Sequence, residues 1–300
     1  GVAISHRSIL NFIKWSTSYF ELTNNDILTQ INPLYFDNSV FDFFSALSNG
    51  AAIVPITKSQ TQNPHGLVRY IEKYNCTIWF GVPSIFVYLQ KTKSFEGRRL
   101  ENLRTIIFGG EGFPKRTLKQ LYDQYSNSIC FVNVYGPTEV TCICSAYLVS
   151  DNDFSEMNKL LPLGEIIENV DFQILTKKKL HRDENIMGEL LLTGQNLAVK
   201  YFNNSTLTKE KFIEENGTLM YRTGDLVLLR ENQLHFLGRN DYQIKRMGYR
   251  IELQEIEFIM NGIKDVLESA AVFKKSETEF GKIILFFSAH KKLNTNELFD

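Results

Sequence analysis

The chain has 300 residues, of which 43% are hydrophobic, with four cysteines and a formal net charge of −1. This length suffices for one large core or two domains, and the near-neutral charge excludes a protein held to nucleic acid by counterion release. No apolar run is long enough to span a bilayer and the first residues lack the shape of a signal peptide, so we expect a cytoplasmic protein with no membrane partner.

Between residues 51 and 134, short β-branched or apolar runs alternate with amphipathic stretches, which is the pattern of βαβ units. The predicted strands are residues 53–54, 77–80, 105–108 and 129–134. Helical spacing of apolar residues predicts helices at 67–74 and 118–125, with Pro114 in the first turn of the second. Residues 1–160 are therefore predicted to form a layered α/β part with a mainly parallel sheet.

The four cysteines lie in apolar segments where strands are expected. Cys76, Cys130, Cys142 and Cys144 are therefore predicted to be small buried hydrophobic residues and not a disulfide framework. Cys142 and Cys144 would share one face of a strand, and no neighbouring His or Cys completes a zinc set.

After residue 161 the pattern changes to short runs at 171–175, 189–192 and 226–229, with a hairpin at 231–233. This pattern predicts a small antiparallel β-barrel or sheet over residues 161–240. An amphipathic helix around residues 253–260 and strands at 266–273 and 283–287 predict a partial α+β unit over residues 241–300. A further helix is predicted to begin at Thr295.

The run Asn-Val-Tyr-Gly-Pro-Thr-Glu at residues 133–139 directly follows a predicted parallel strand. Ligands collect where such strands end, and the Gly-Pro turn allows Tyr135 and Glu139 to face one cavity. A Gly-Pro pair is often only a loop, and a Thr-Glu pair is often only a helix start. Because residues 221–225 and 238–245 follow at spacings that suit one shared ligand, we favour a nucleotide pocket.

With these motifs in order, the chain resembles the adenylate-forming enzymes. Within them it is most similar to the amino-acid adenylation domains of nonribosomal peptide synthetases and to stand-alone ligases that load carrier proteins. The resemblance covers nearly the whole chain. It is carried by GVAISH (1–6), FDNS (36–39), YGPTE (135–139), GELLLTG (188–194), YRTGD (221–225), GRNDYQIK (238–245) and RIEL (250–253). It implies a large domain of residues 1–240 and a mobile α+β lid from residue 241.

The resemblance also implies a site for ATP and Mg²⁺. The residues it implies for nucleotide binding are Gly109, Gly110, Glu111, Asn133, Tyr135, Gly136, Thr138, Asp225 and Arg239. Tyr135 would stack on adenine and Asp225 would accept hydrogen bonds from the ribose hydroxyls. Thr138, Glu139 and Arg239 would be catalytic, with Glu139 holding the metal ion. The alternatives are that Asp225 is a turn residue and that Arg239 is a solvated hairpin end.

By the same resemblance, Asp37 would bind the α-ammonium of an amino acid. Alternatively, Asp37 or Ser39 caps a helix over residues 40–47, with Asp42 completing a capping box. The implied side-chain pocket consists of Phe36, Asn38, Phe41, Phe80, Ile107, Gly109, Val134, Cys142 and Ile143. Since this pocket is mostly apolar and lacks a second charge, a medium-sized aliphatic amino acid fits it best.

The implied reaction is adenylation of the amino acid with release of pyrophosphate, followed by thioester transfer to the phosphopantetheine of a carrier protein. Asp241 matches the family's hinge, although a plain loop Asp is the alternative. Two other functions stay open: an acyl-CoA or aryl-CoA ligase of the same superfamily, and a non-catalytic nucleotide-binding or carrier-docking module. Asp37→Ala would separate the first from an amino-acid ligase.

This sequence departs from the family in two ways. Met247 stands where a basic residue is usual, with Arg246 shifted by one place. The phosphate loop should precede Gly1 and a catalytic lysine should follow Asp300. We therefore expect a fragment of a longer enzyme that adenylates poorly or not at all by itself.

Overall fold

A computed structural model of the chain describes residues 1–177, 179–241, 243–246, 248–263, 265–274 and 281–290. Its Cα positions form two compact units, Gly1–Asn240 and Asp241–Asp300. Met247 and the helix predicted to begin at Thr295 lie outside the described residues. No helix in the described part of the chain is both long and apolar enough to cross a membrane.

The helices are α1 (His6–Tyr19), α2 (Asn38–Val40), α3 (Ala46–Ser48), α4 (Lys58–Thr61), α5 (Pro64–Lys73), α6 (Pro83–Lys91), α7 (Lys115–Tyr125), α8 (Ser205–Lys211) and α9 (Leu253–Asn261). A π-helical turn, Phe41–Ser45, joins α2 to α3, and the 3₁₀ turns are Thr138–Val140 and Asp151–Ser155. The strands of the larger unit are β1 (Val2–Ala3), β2 (Ile27–Gln30), β3 (Ala52–Pro55), β4 (Ile78–Gly81), β5 (Thr105–Gly109), β6 (Cys130–Tyr135), β7 (Ser145–Leu148), β8 (Glu165–Ile166), β9 (Val170–Thr176), β10 (Lys179–His181), β11 (Met187–Gly194), β12 (Lys200–Tyr201), β13 (Phe212–Glu215), β14 (Thr218–Arg230) and β15 (Gln233–Arg239).

The larger unit contains a seven-stranded sheet with the order β3-β2-β4-β5-β6-β7-β8. The strands from β3 to β6 in this order are parallel, and β7 and β8 are antiparallel to their neighbours. The predicted mainly parallel sheet is therefore confirmed, and the four predicted strands correspond to β3, β4, β5 and β6. Every residue of β4 and β5 is buried, which explains why both strands read as continuous apolar runs. β2 has no counterpart among the predicted strands.

The helices predicted between the parallel strands are present as α5 and α7. The apolar face of each helix is buried, with Leu67, Ile71, Leu118 and Leu121 fully or almost fully buried. Pro114 was predicted to lie in the first turn of α7, and this prediction is wrong. It is the residue before the helix and has an extended backbone with φ −60° and ψ 117°, because the proline ring fixes φ at a value that suits either position.

The second sheet of the larger unit is antiparallel, as predicted for residues 161–240. Its pairing runs β10-β9-β11-β14, and β13 and β15 pair with successive parts of β14. The predicted hairpin joins β14 to β15, where Arg230 pairs with Gln233. Glu231 and Asn232 between them have φ of 54° and 59°, the left-handed conformation that tight two-residue hairpins require.

The cysteine predictions are only partly correct. All four cysteines are free, and Cys76, Cys142 and Cys144 are buried, but Cys130 is exposed at the start of β6. Cys142 and Cys144 do not share the face of a strand, because both lie in the loop before β7. Cys142 has a left-handed backbone with φ 72°, which interrupts any regular strand there.

The smaller unit contains two hairpins and a helix. Its strands are β16 (Gln243–Arg246), β17 (Tyr249–Glu252), β18 (Val266–Lys274) and β19 (Lys282–Ala289). β16 pairs with β17 and β18 pairs with β19, both antiparallel. The predicted amphipathic helix is α9, which packs against β18 and buries Leu253 and Met260. The predicted α+β composition of this unit is confirmed.

Candidate functional site

The carboxyl ends of β4, β5 and β6 bring the first predicted site residues together. In the parallel register Phe80 pairs with Ile107, and Gly109 pairs with Val134. Tyr135 ends β6 and directly follows Val134. This is the edge of a parallel sheet where ligands bind in open α/β folds.

Two glycines at this edge have no room for a side chain. A Cβ at Gly109 would lie 2.3 Å from the carbonyl oxygen of Val134, and one at Gly136 would lie 2.1 Å from the carbonyl oxygen of Cys142. Both positions therefore require glycine because neighbouring backbone approaches too closely. The close approach at Gly136 folds the loop after β6 back onto the segment before β7.

Tyr135, Asp225 and Arg239 form one buried hydrogen-bonded group. The Tyr135 hydroxyl donates to Oδ2 of Asp225 at 2.5 Å, and the Arg239 guanidinium donates to Oδ1 of the same carboxylate. Arg239 also donates to the carbonyl of Thr223 at 2.9 Å. Burial, with the nearby Asp225 carboxylate, raises the pKa of Tyr135 well above its ordinary value, so the hydroxyl keeps its proton.

The structure places this group through the pairing of two strands. Asp225 on β14 lies opposite Arg239 on β15. Glu189 on β11 accepts hydrogen bonds from Arg222 at 2.6 Å and from the backbone N–H of Gly224 at 3.2 Å. Because Glu189 fixes the residues just before Asp225, the carboxylate of Asp225 has a defined position.

Asp37 and Thr138 contact each other directly. The Thr138 hydroxyl donates a hydrogen bond to Oδ2 of Asp37 at 2.6 Å. The capping alternative for Asp37 is wrong, because its side chain makes no capping hydrogen bond to α2. The Ser39 hydroxyl donates to the carbonyl of Phe36 at 2.7 Å, and Asp42 points into the interior and not back to Ser39. The local pattern of capping residues was therefore misleading.

Asp42 is a buried acid that the sequence did not reveal. It is fully buried, and its Oδ2 accepts a hydrogen bond from Nδ2 of Asn32 at 3.0 Å. The same Nδ2 donates to the carbonyl of Phe80 at 3.1 Å, so Asp42 lies behind the predicted amino-acid pocket. Its Oδ1 has no partner among the described residues. Burial raises the pKa of Asp42 well above its ordinary value, despite the hydrogen bond from Asn32.

Glu139 is almost completely buried, with 1% of its surface exposed. The Tyr201 hydroxyl donates a hydrogen bond to Oε1 of Glu139 at 2.5 Å. Burial, together with Tyr221 and the Glu139 carboxylate, raises the pKa of Tyr201, so it acts as the donor. Sequence reasoning missed Tyr201, since nothing in the sequence relates two residues 62 positions apart.

The residues around Glu139 fit a metal ion that a nucleotide brings with it. No group of three or more His, Cys, Asp or Glu residues among the described residues is arranged to hold a metal ion by itself. Mg²⁺ does not require such a group, because it commonly takes one or two protein carboxylates and completes its shell with phosphate oxygens and water. Glu139 and the adjacent Thr138 hydroxyl provide a hard oxygen donor set of that kind.

The residues predicted to face the adenine lie on β6 and in the loop after β5. Asn133 donates from Nδ2 to the carbonyl of Pro162 at 2.8 Å, which leaves its Oδ1 as the atom suited to an amine. Glu111 accepts a hydrogen bond from the backbone N–H of Ser84 at 3.2 Å. Gly110 has φ 84°, a conformation that favours glycine.

The predicted side-chain pocket is largely one cluster. Six of its members belong to the same buried hydrophobic cluster as Tyr135, namely Phe41, Phe80, Ile107, Val134, Cys142 and Ile143. Phe41 packs edge-to-face on Phe80, with ring centroids 5.5 Å apart. Phe36 and Asn38 are half-buried beside them. Asp241, the predicted hinge, is the first residue of the smaller unit, and its Oδ1 accepts a hydrogen bond from the backbone N–H of Gln243 at 3.2 Å.

The chain is similar to known proteins in sequence and in fold. The sequence profile of the AMP-binding enzyme family matches residues 1–202. The chain is 30% identical to the D-alanine–D-alanyl carrier protein ligase of Bacillus licheniformis over 282 residues, which cover 93% of the chain and 56% of that ligase. It is 31% identical to surfactin synthase subunit 2 of Bacillus subtilis over 303 residues, 99% of the chain and 8% of that protein. The crystal structure of the Vibrio cholerae adenylation domain AlmE in complex with glycyl-adenosine-5'-phosphate matches with a TM-score of 0.89 at 27% identity, covering 98% of this chain and 56% of that one.

Proposed function

The chain belongs to the AMP-binding enzyme family, and we propose that the protein containing it activates an amino acid as an aminoacyl adenylate. In this reaction the carboxylate of the amino acid attacks the α-phosphate of ATP and pyrophosphate leaves. The chain spans only 56% of the length of the related D-alanine ligase. The proposal therefore concerns the whole protein, to which this chain contributes the nucleotide and amino-acid contacts named below.

The contact between Thr138 and Asp37 carries this proposal. Thr138 lies in the loop that would hold the phosphates, and Asp37 is the acid that would hold the ammonium group. Because of the 2.6 Å hydrogen bond between their side chains, these two parts of the proposed site are adjacent. Such proximity is what a reaction between the carboxylate of an α-amino acid and the α-phosphate needs.

In the proposed complex the ring of Tyr135 stacks on the adenine, while Oδ1 of Asn133 accepts from its exocyclic amine. Asp225 accepts hydrogen bonds from the ribose hydroxyls, and Arg239 neutralises the carboxylate or contacts the ribose and phosphate. Bound Mg²⁺ would offset the negative charge that develops as pyrophosphate leaves. We assign Thr138 to the phosphates and Glu139 to this metal ion.

We propose a small or medium-sized aliphatic amino acid as the substrate. The side-chain pocket is lined by buried apolar residues, and a charged substrate side chain would lose its hydration there. The names of the related D-alanine ligase and of the AlmE complex with glycyl-adenosine-5'-phosphate support a substrate of this size.

For the second half-reaction we propose thioester transfer to the phosphopantetheine of a carrier protein. The support is the name of the related carrier protein ligase and the resemblance to nonribosomal peptide synthetases. Asp241 would be the hinge for this step. Its place at the boundary of the two compact units is where a change of a few backbone torsions would have the largest effect.

The test is amino-acid-dependent exchange of labelled pyrophosphate into ATP by the complete protein. Glycine, D-alanine and the proteinogenic amino acids are compared, each aliphatic one with its matched carboxylic acid lacking the amine. We expect an aliphatic amino acid to give the highest kcat/KM and its des-amino partner to give almost no exchange. Exchange that is highest with a charged amino acid would overturn the substrate assignment. Preference for the des-amino acid would favour an acyl-CoA or aryl-CoA ligase, and no exchange with any acid would favour a binding module.

A further inference from the structure

The hydroxyl of Tyr201 contacts Glu139, the proposed metal ligand. It donates to Oε1 of Glu139 at 2.5 Å inside the larger unit. The predicted motifs do not include Tyr201, and no step of the proposed reaction uses it. A buried carboxylate that must bind a cation in one orientation needs a fixed rotamer, and this hydrogen bond restricts rotation of the Glu139 carboxylate group.

The backbone around Tyr201 is fixed by a second set of contacts. β12 pairs with β1, with Tyr201 opposite Val2. The N–H of Val199 donates to the carbonyl of Ala3 at 2.8 Å, and the N–H of Phe202 donates to the carbonyl of Gly1 at 2.8 Å. These bonds flank Tyr201 on both sides, so its Cα has little freedom to move.

The ring of Tyr201 is also held in place. It lies edge-on to Phe212, with ring centroids 5.8 Å apart, and Phe212 packs on Tyr221 at 5.2 Å. Phe212 and Tyr221 are opposite each other on β13 and β14. The hydroxyl of Tyr201 is therefore presented to Glu139 by a packed aromatic row and not by a loose side chain.

The same short segment holds the main chain of Glu139. The N–H of Ala198 donates to the carbonyl of Glu139 at 2.8 Å. Residues 198–201 therefore contact Glu139 twice, once at its carbonyl through Ala198 and once at its carboxylate through Tyr201. Two contacts from one rigid segment fix both the position of the residue and the direction of its side chain.

We propose that Tyr201 is a positioning residue that orients the Glu139 carboxylate for a nucleotide-bound divalent cation. This inference rests on the proposed function, in which Glu139 holds Mg²⁺. Partners that hydrogen-bond to a metal-ligating carboxylate typically change metal affinity by about 10- to 100-fold when removed. The Tyr201 hydroxyl should therefore contribute to metal affinity without contacting the metal or the nucleotide.

The test is Tyr201→Phe in the complete protein, which removes the hydroxyl and keeps the packed ring. Binding of Mn²⁺, used as a paramagnetic substitute for Mg²⁺, is measured by electron paramagnetic resonance with a non-hydrolysable ATP analogue present. We expect the dissociation constant of Mn²⁺ to rise about 10- to 100-fold. Affinity for the analogue without metal should stay at the wild-type value, and the thermal unfolding temperature should fall only slightly, because the buried Glu139 carboxylate loses one hydrogen bond.

Tyr147→Phe is the matched control, because the Tyr147 hydroxyl also donates to a carboxylate, Oδ1 of Asp153, at 2.8 Å. This control should leave Mn²⁺ binding unchanged. In the background of Glu139→Gln, Tyr201→Phe should have no further effect on Mn²⁺ binding, since the charged carboxylate that the hydroxyl would orient is already absent.

Wild-type Mn²⁺ affinity in Tyr201→Phe, or tighter binding, would overturn the inference. So would a variant that fails to fold, because the inference assigns the hydroxyl mainly to the orientation of Glu139. These results differ from failure of the proposed function, which would appear as wild-type protein that binds no Mn²⁺ with the ATP analogue.

Discussion

The hydroxyl of Thr138 donates a hydrogen bond to Oδ2 of Asp37 at 2.6 Å, although the two residues are 101 positions apart. This contact joins the loop after β6 to the start of α2. The carboxylate of Asp37 makes no capping hydrogen bond to α2, so the capping interpretation is wrong, because a capping residue would use its carboxylate on the helix N–H groups. The acid instead faces the loop that is proposed to hold the phosphates.

Removing the Asp37 carboxylate should weaken amino-acid binding selectively. A hydrogen bond to a charged group contributes about 1.5 to 3 kcal/mol, so we expect Asp37→Ala to raise the KM of the amino acid about 10- to 150-fold in pyrophosphate exchange. Binding of ATP alone should not change. Asp171→Ala is the control, since Asp171 forms a salt bridge with Arg182 but is 47% exposed and such surface pairs contribute little. An unchanged KM in Asp37→Ala would contradict the ammonium role.

Replacement of Asp225 should remove recognition of the ribose hydroxyls. The complete protein should bind ATP more tightly than 2′,3′-dideoxy-ATP by about 10-fold or more, and Asp225→Asn should bind both equally. The variant should also lose about 3 to 5 kcal/mol of unfolding free energy, because Arg239 is left buried without its carboxylate. Calorimetric titration and urea unfolding measure the two effects.

Asp153→Asn is the control for Asp225, since Asp153 also accepts a tyrosine hydroxyl, that of Tyr147. It should keep the preference for ATP over the dideoxy analogue. If Asp225→Asn kept that preference as well, the proposed ribose contact would be wrong, whatever its effect on stability.

Substitution of the buried acid Asp42 should change how stability depends on pH. Burial raises the pKa of Asp42 well above 3.8, so the folded protein binds this proton more tightly than the unfolded chain does. The contribution of Asp42 to the free energy of unfolding is therefore fully present below pH 3.8 and is lost as the pH rises through the folded pKa. Asp42→Asn imitates the neutral acid. We therefore expect it to gain unfolding free energy relative to wild type at neutral pH, and to lose this advantage near pH 3.8.

Asp26→Asn is the matched control with the opposite sign. Burial alone would raise the pKa of Asp26, but hydrogen bonds from Arg104 and Thr77 lower it below 3.8 overall. Its stabilising contribution is present above pH 3.8 and is lost as the pH falls through the folded pKa. Urea unfolding should show Asp26→Asn destabilised at neutral pH and approaching wild type in acid. The same pH trend in both variants would contradict a raised pKa of Asp42 in the folded protein.

Stiffening the backbone at Asp241 should separate the two half-reactions. Asp241→Pro fixes φ, so we expect slower transfer of the amino acid to a carrier protein with pyrophosphate exchange retained. Asp241→Ala is the control because it removes the carboxylate that contacts Gln243 but leaves φ free. Single-turnover loading of the labelled amino acid measures transfer. Loading at the wild-type rate by Asp241→Pro would remove the hinge interpretation.

The sequence predicted the fold most reliably for strands in which every residue is buried. β4 and β5 are completely buried, so their residues form unbroken apolar runs that need no tertiary information. The hairpin at Glu231 and Asn232 was also predictable, because polar turn residues separate two apolar runs. Cys130 was misassigned because an apolar neighbourhood in sequence does not show that a residue begins a strand at the exposed end of its sheet.

The site was accessible only in part, because several contacts depend on tertiary packing. Asp37 followed by Ser39 has the same local pattern whether it caps a helix or faces a ligand. Cys142 adopts a left-handed backbone, and its carbonyl packs against Gly136. The spacing of the cysteines could not predict this close approach. Asp42 and Tyr201 find their partners across the fold, so no sequence pattern indicates that either residue acts near the site.

The most direct test of the central claim is a crystal structure of the complete protein with a non-hydrolysable sulfamoyl analogue of the aminoacyl adenylate. The claim is that Asp37, Tyr135, Glu139 and Asp225 surround one adenylated amino acid. We predict the Asp37 carboxylate within hydrogen-bonding distance of the ammonium group, the Tyr135 ring against the adenine and Asp225 on the ribose hydroxyls. An analogue bound elsewhere, or bound with its ammonium group away from Asp37, would contradict the account.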